Sequence, residues 1–172
     1  MRLIFAAILL VVTSVTATCP SCSQATPFFR TYDGAGNNHF YTISASETAR
    51  AVSSWSLEGV AAGIFPNQVE NSAPLFRLYN AAVVDHAYTT STTDVDVLVS
   101  QGYHMEPVAG YVYTTQICGS VPLYGVYTSS GKDHMYTTSV PEKARAIAGG
   151  WTDLGITAYV PVAGLIVGGF SC

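Results

Sequence analysis

Three histidines stand at a fixed step in this chain. His39, His86 and His134 are 47 and 48 residues apart (86 − 39 and 134 − 86), and each is followed by x-Tyr-Thr. A step of this size marks repetition of one supersecondary unit. Equivalent imidazoles allow two kinds of chemistry. Three of them meeting on one axis would make a three-histidine zinc site. One beside a carboxylate would make an acid–base pair, and Asp85 and Asp133 directly precede His86 and His134. The repetition itself argues for a plainer role, because a residue present in every copy is the first suspect for holding that copy together. Each histidine is therefore read as bonding locally, to the acid beside it, and fixing its own hairpin. No metal and no cofactor are expected.

Hydrolysis would need an acid, a base or a nucleophile gathered in one cleft. The carboxylates on offer are Asp33, Asp85, Asp94, Asp96, Glu106, Asp133, Glu142 and Asp153. Several are explained as helix starts or hairpin residues, and neither G-x-S-x-G nor H-E-x-x-H occurs. The chain is read as non-enzymatic, with a His/Asp or paired-carboxylate hydrolase of carbohydrate as the alternative.

The elements that would position these residues follow from the segments around each histidine. PFFRTYDGAGNNHFYTIS from Pro27, PLFRLYNAAVVDHAYTTS from Pro74 and PLYGVYTSSGKDHMYTTS from Pro122 each open on alternating aromatic or aliphatic and polar residues, a strand signal. A six-residue connection and a short second strand complete a hairpin. Ser44-x-x-Glu47, Ser91-x-x-Asp94 and Ser139-x-x-Glu142 are capping-box patterns, which place helices near 45–53, 92–101 and 140–149. Gly102 and Gly149-Gly150 would stop two of them. Each copy then carries an aromatic (Trp55, Tyr103, Trp151) and a short apolar strand. The expected fold is α+β: three consecutive ββα-type repeats, at about 26–66, 73–115 and 121–165, forming one pseudo-threefold domain. Arg30 and Arg77 are equivalent and are read as salt-bridged to Glu58 and Glu106. The third copy has Gly125 and Leu154 at these two places, a paired loss that fits that reading.

The pattern P-L-[FY]-R-x-[YF]-x(5)-D-H-x-Y-T-T-S, followed by an acidic helix start, G-[YW]-x-x-E and an A-G-Y-V-Y-like strand, resembles a repeat family of secreted fungal and bacterial proteins. Within it the chain is similar to the small mushroom lectins built as three ββα units. The second copy fits best, from Pro74-Leu75-Phe76-Arg77 to Ala109-Gly110-Tyr111-Val112-Tyr113. The first copy has Asn38 where the acid is expected. The resemblance implies a lectin, binding glycans or glycoconjugates without turnover. A wall-associated structural module is a further alternative. Sugar rings need an aromatic face and a few fixed polar groups, and binding residues concentrate on loops where copies differ. The candidate carbohydrate-binding residues are Asp33, Asn37, Asn38, Tyr41 and Trp55 around the first hairpin, and Lys132, Asp133, Tyr136 and Trp151 around the third.

Composition sets the outer limits. Arg2, then LIFAAILLVV, then Val15-Thr16-Ala17 reads as a secretory signal peptide over residues 1–17, leaving 18–172 as one domain in the extracellular space. Without Arg2 the balance is 6 basic and 11 acidic residues, a net charge of −5 (6 − 11), which gives nothing to hold a phosphate backbone. No basic amphipathic helix suggests a membrane surface, and no membrane insertion is expected. A homo-oligomer is compatible with the sequence. Cys19, Cys22, Cys118 and Cys172 are even in number and suit an oxidising compartment. Cys19 and Cys22 are expected to pair with Cys118 and Cys172 in some order, since long loops gain most from closure.

Overall fold

A computed structural model describes residues 19, 22–130, 132–163 and 170–171. The proposed signal peptide, the Cys22 side chain and Cys172 lie outside the described residues. A 3-10 turn (Cys22–Gln24) precedes β1 (Thr26–Asp33), β2 (Asn38–Thr42), α1 (Ala45–Ala51) and β3 (Ser56–Ile64). The second segment holds β4 (Ser72–Asn80), β5 (Asp85–Thr89), α2 (Thr92–Ser100), β6 (His104–Met105) and β7 (Gly110–Tyr113). The third holds β8 (Val121–Thr128), β9 (Asp133–Thr137), α3 (Val140–Ala148) and β10 (Thr152–Val160), and β11 (Val162–Ala163) pairs with β12 (Phe170–Ser171).

The expected α+β domain of three ββα repeats is corrected here. Strand makes up 47 % and helix 19 % of the structure, so antiparallel sheet is the body of the fold. The reason is the closing strand. β3 and β10 run for nine residues each and pair antiparallel with β1 and β8 along their lengths. The helices run for seven, nine and nine residues and bury no side chain completely. The second segment also departs from its neighbours: its closing part is split into β6 and β7, and β7 pairs with both β4 and β10. That joins the second and third segments in one large sheet, β5-β4-β7-β10-β8-β9, beside the smaller β2-β1-β3.

The helices begin where the Ser-x-x-acid pattern places them. Ser44, Ser91 and Ser139 accept from the N–H of Glu47, Asp94 and Glu142. The acid does not reach back to its own cap, however. Thr42, Thr89 and Thr137 accept the cap N–H instead, and Thr42 and Thr89 donate onward to Glu47 and Asp94. The acids are thereby turned toward a neighbouring segment.

The second strands, β2, β5 and β9, are buried at every residue. Each lies at the edge of its sheet, so its outer N–H and C=O groups would go unpaired in the interior at a cost comparable to lost hydrogen bonds. Tyrosine hydroxyls take the place of the missing strand. Tyr88 Oη accepts from Tyr41 N–H at 2.9 Å and donates to Tyr41 C=O at 2.7 Å. Tyr41 Oη does the same for Tyr136, at 2.7 and 2.8 Å. Tyr136 Oη accepts from Tyr88 N–H at 2.8 Å. The three rings meet edge-to-face with centroids 5.4, 5.4 and 5.7 Å apart, a favoured aromatic geometry. Around this hub pack Phe28, Ile64, Leu75, Val112, Leu123 and Val160.

Candidate functional site

Each histidine sits two residues before a hub tyrosine, so its N–H points to the same strand edge. Asp133 caps His39, accepting from its N–H at 2.8 Å and holding Nδ1 at 2.6 Å. Asp85 does so for His134, at 3.0 and 2.7 Å, and Tyr103 also donates to Asp85. Asn38 caps His86 N–H at 3.1 Å. The acid therefore holds the histidine of the next segment, not the one beside it, which corrects the local pairing expected from the sequence. Tyr32, Tyr79 and Tyr127 cover the imidazole faces at 4.6, 4.4 and 4.5 Å.

Three joints close the segments on one another. At the first, Arg77 reaches Glu47 through both terminal nitrogens at 3.2 Å. Its Nε lies 2.8 Å from Glu106 Oε2, by charge proximity without an aligned hydrogen bond. The guanidinium also stands 5.3 Å from the Phe40 ring centroid. At the second, Arg30 bonds Glu142 at 2.9 and 3.1 Å and Glu58 at 2.8 Å. The Arg–Glu pairs read from the sequence are thus present, and each is extended across the joint by a helix-start acid. At both joints the histidine Nε2 faces the glutamate at the arginine Nε, His39 to Glu58 at 3.5 Å and His86 to Glu106 at 3.7 Å.

The third joint, between segments two and three, is open. Gly125 stands where Arg is found, Leu154 where Glu is found, and Ala87 where Phe40 stands in the first joint. Its backbone spacing is kept: Thr90 Oγ1 donates to Thr157 C=O at 3.2 Å, as Thr138 Oγ1 donates to Ala61 C=O at 3.3 Å in the second joint. Side-chain loss without closure leaves a cleft of about 400 Å³. In the first joint the Arg77–Glu47 pair separates two smaller spaces of about 210 and 290 Å³. The cleft is lined by polar residues, Thr89, Thr90, Ser91, Asp94, Thr157 and His134, and by apolar ones, Leu98, Leu154 and Ile156. Asp94 is exposed, while His134 is 9 % exposed and its Nε2 has no hydrogen bond or ion pair among the described residues. Asp85 can only accept from Nδ1, so in the neutral ring the proton is on Nδ1 and Nε2 offers a lone pair.

The residues expected to bind carbohydrate fall into three groups. Asn38, Tyr41, Asp133 and Tyr136 are buried in the hub, with Asn38, Tyr41 and Asp133 at 0 % exposure. The connections are four residues long rather than six, so Asn38 and Asp133 are strand residues and not loop tips. Asp33 accepts from Ala35 N–H at 3.0 Å, and Asn37 accepts from the Tyr32 hydroxyl at 2.7 Å; both stay in or beside the first connection. Lys132 is exposed in the third connection, at φ 52°. Trp55 and Trp151 are half-buried at the closed joints, Trp55 against Phe40 and Trp151 against His39. Of these nine, Tyr136 lines the open cleft. The cleft's other residues went unread as a site because the sequence signal was a loss, Gly125 and Leu154, taken as the absence of a brace.

Residues 27–161 match a family described as a domain of unknown function, DUF5648. The chain belongs to that family. Neither a curated protein nor a solved structure matches it. The matched span of this DUF5648 domain begins at the proline of the first hairpin and ends just after β10, so it takes in the hub and all three joints. Cys19 lies before it and is disulfide-bonded to Cys118 within it. Among the described residues no group of three His, Cys, Asp or Glu is placed to hold a metal ion, and no helix is long and apolar enough to cross a membrane.

Proposed function

We propose that this domain is a secreted glycan-binding protein of the lectin type, which holds carbohydrate without turning it over, and that the Gly125 cleft is where it binds. One observation carries the reading: of three equivalent joints, two are filled by Arg30 and Arg77, and the third is open at a volume suited to a small ligand. The hydroxyls, carboxylate and imidazole in its lining match sugar hydroxyls, and Leu154 and Ile156 suit the apolar face of a ring. The likeness of the repeat motif to mushroom lectins supports the same conclusion. The Asp85–His134 pair beside the cleft is the feature that favours a hydrolase. That pair recurs as Asp133–His39 at a joint that Arg30 fills, which favours a framework role.

Glycan-array binding tests the reading. The protein should bind a restricted set of glycans, and Gly125→Arg with Thr157→Ala should abolish that binding by filling the cleft. Thr157 is changed because a Cβ at residue 125 would meet its Oγ1 at 2.8 Å. A blank array at high protein concentration overturns the reading. Polymer turnover abolished by Asp94→Asn establishes the hydrolase instead.

A further inference from the structure

The two closed joints record what this kind of seat holds. In each, a guanidinium lies between a helix-start acid and a second glutamate, with Arg77 between Glu47 and Glu106, and Arg30 between Glu142 and Glu58. The open joint keeps the acid as Asp94 and the imidazole as His134, while the chain supplies no cation there, because residue 125 is glycine. It also keeps the Thr89–Asp94 bond, at 2.8 Å, that orients the carboxylate. Asp94 is one methylene shorter than Glu47 and Glu142, which leaves room in front of it. Asp94 is an exposed carboxylate at this space, and His134 lines it with no bond to Nε2 among the described residues. Leu154 removes the second acid, so one positive charge balances the seat.

We propose that the Gly125 cleft binds an organic monocation, an ammonium or guanidinium group carried on the ligand, in the seat that Arg30 and Arg77 occupy at the other joints. This deepens the proposed function and rests on it for the source of the cation: the glycan carries a free amine, as an unacetylated hexosamine does. The head group lies against Asp94, and the ring or chain behind it lies along Leu154 and Ile156. An acetylated amine has neither the charge nor the donor count for this seat.

The test is titration of the full domain, followed by NMR shifts, with three probes: ethylguanidinium, glucosamine oligomers and N-acetylglucosamine oligomers. Ethylguanidinium and glucosamine oligomers should shift the signals of Asp94, His134, Leu154 and Ile156. Asp94→Asn should weaken both by about two- to fivefold, the scale of an exposed charge pair. Gly125→Arg with Thr157→Ala should remove both responses, and the exposed Asp94→Asn variant carries the test should that pair fail to fold. Glucosamine and N-acetylglucosamine oligomers binding equally, with no response to ethylguanidinium, overturns the inference and leaves the glycan reading standing. Response to ethylguanidinium with no binding of any sugar upholds the monocation seat and overturns the glycan reading. No response at the cleft to either cation overturns the inference, whatever the array gives.

Discussion

His86 differs from the other two histidines because an amide, Asn38, faces it where His39 and His134 face carboxylates. Burial first and the Arg77 charge second push its pKa from 6.5 down to about 4, and Asp85 and Glu47 offset this only in part. A histidine whose folded pKa is depressed takes up protons more readily when unfolded, so it favours folding above its unfolded pKa. That contribution fades as pH falls from about 6.5 toward 4. Asn38→Asp gives His86 the partner its equivalents have. NMR titration of the imidazole should then place its pKa above 4, and the variant should lose less stability between pH 6.5 and 4 than the parent. An unchanged titration would mean that the residue-38 side chain does not govern the charge. The same substitution separates the two residues sharing this position in the motif: Asp85 and Asp133 each meet an imidazole Nδ1, and Asn38 meets its imidazole as an amide.

The helices are anchored by their first turns, since none buries a residue completely. Glu47 illustrates how. Burial works against its charge, but Arg77 and Thr42 outweigh burial and hold the carboxyl below the usual range. The same carboxylate thus finishes the α1 start and closes the first joint. Glu47→Gln should cost about 1–3 kcal/mol, because it removes a hydrogen-bonded partner of a largely buried arginine. Asp94→Asn, at the equivalent turn of α2, should cost under about 1 kcal/mol, because no arginine faces it. Urea unfolding midpoints of the two variants compare them directly, and equal losses would show that the acids act only as helix starts. At this scale the hairpins and helix starts were legible, since Ser44, Ser91 and Ser139 announce themselves by local spacing. The direction of the acids was not, because Arg77 lies 30 residues from Glu47 and Glu142 lies 112 from Arg30.

The whole molecule is a closed arrangement in which each segment completes the next. Tyr41, Tyr88 and Tyr136 each need a neighbour's backbone, so removal of one segment would leave buried edges unpaired on two others. Cys19–Cys118 adds a covalent tie across 99 residues, from the arm before β1 to the turn before β8. On the chain-entropy account a loop of that length contributes about 4–5 kcal/mol. Cys19→Ser with Cys118→Ser should lower the unfolding free energy measured in urea by several kcal/mol, with the far-UV spectrum of the folded state unchanged. A loss below about 1 kcal/mol would mean that ring closure through the hub already restrains the unfolded chain as the disulfide would.

By itself the sequence determined the three-copy spacing, the presence of the hairpins, the helix starts and the Arg–Glu braces. These depend on neighbours within one segment, where spacing along the chain is spacing in the fold. It also held Gly125 and Leu154 in plain view as paired losses. Only the tertiary structure decided that sheet dominates, that Asn38 and Asp133 are hub residues, and that the paired loss opens a cleft. Each of those depends on which segment lies beside which. Closing β2, β5 and β9 around one point brings Asp94 of one segment to Gly125 of another, and no local pattern encodes that meeting.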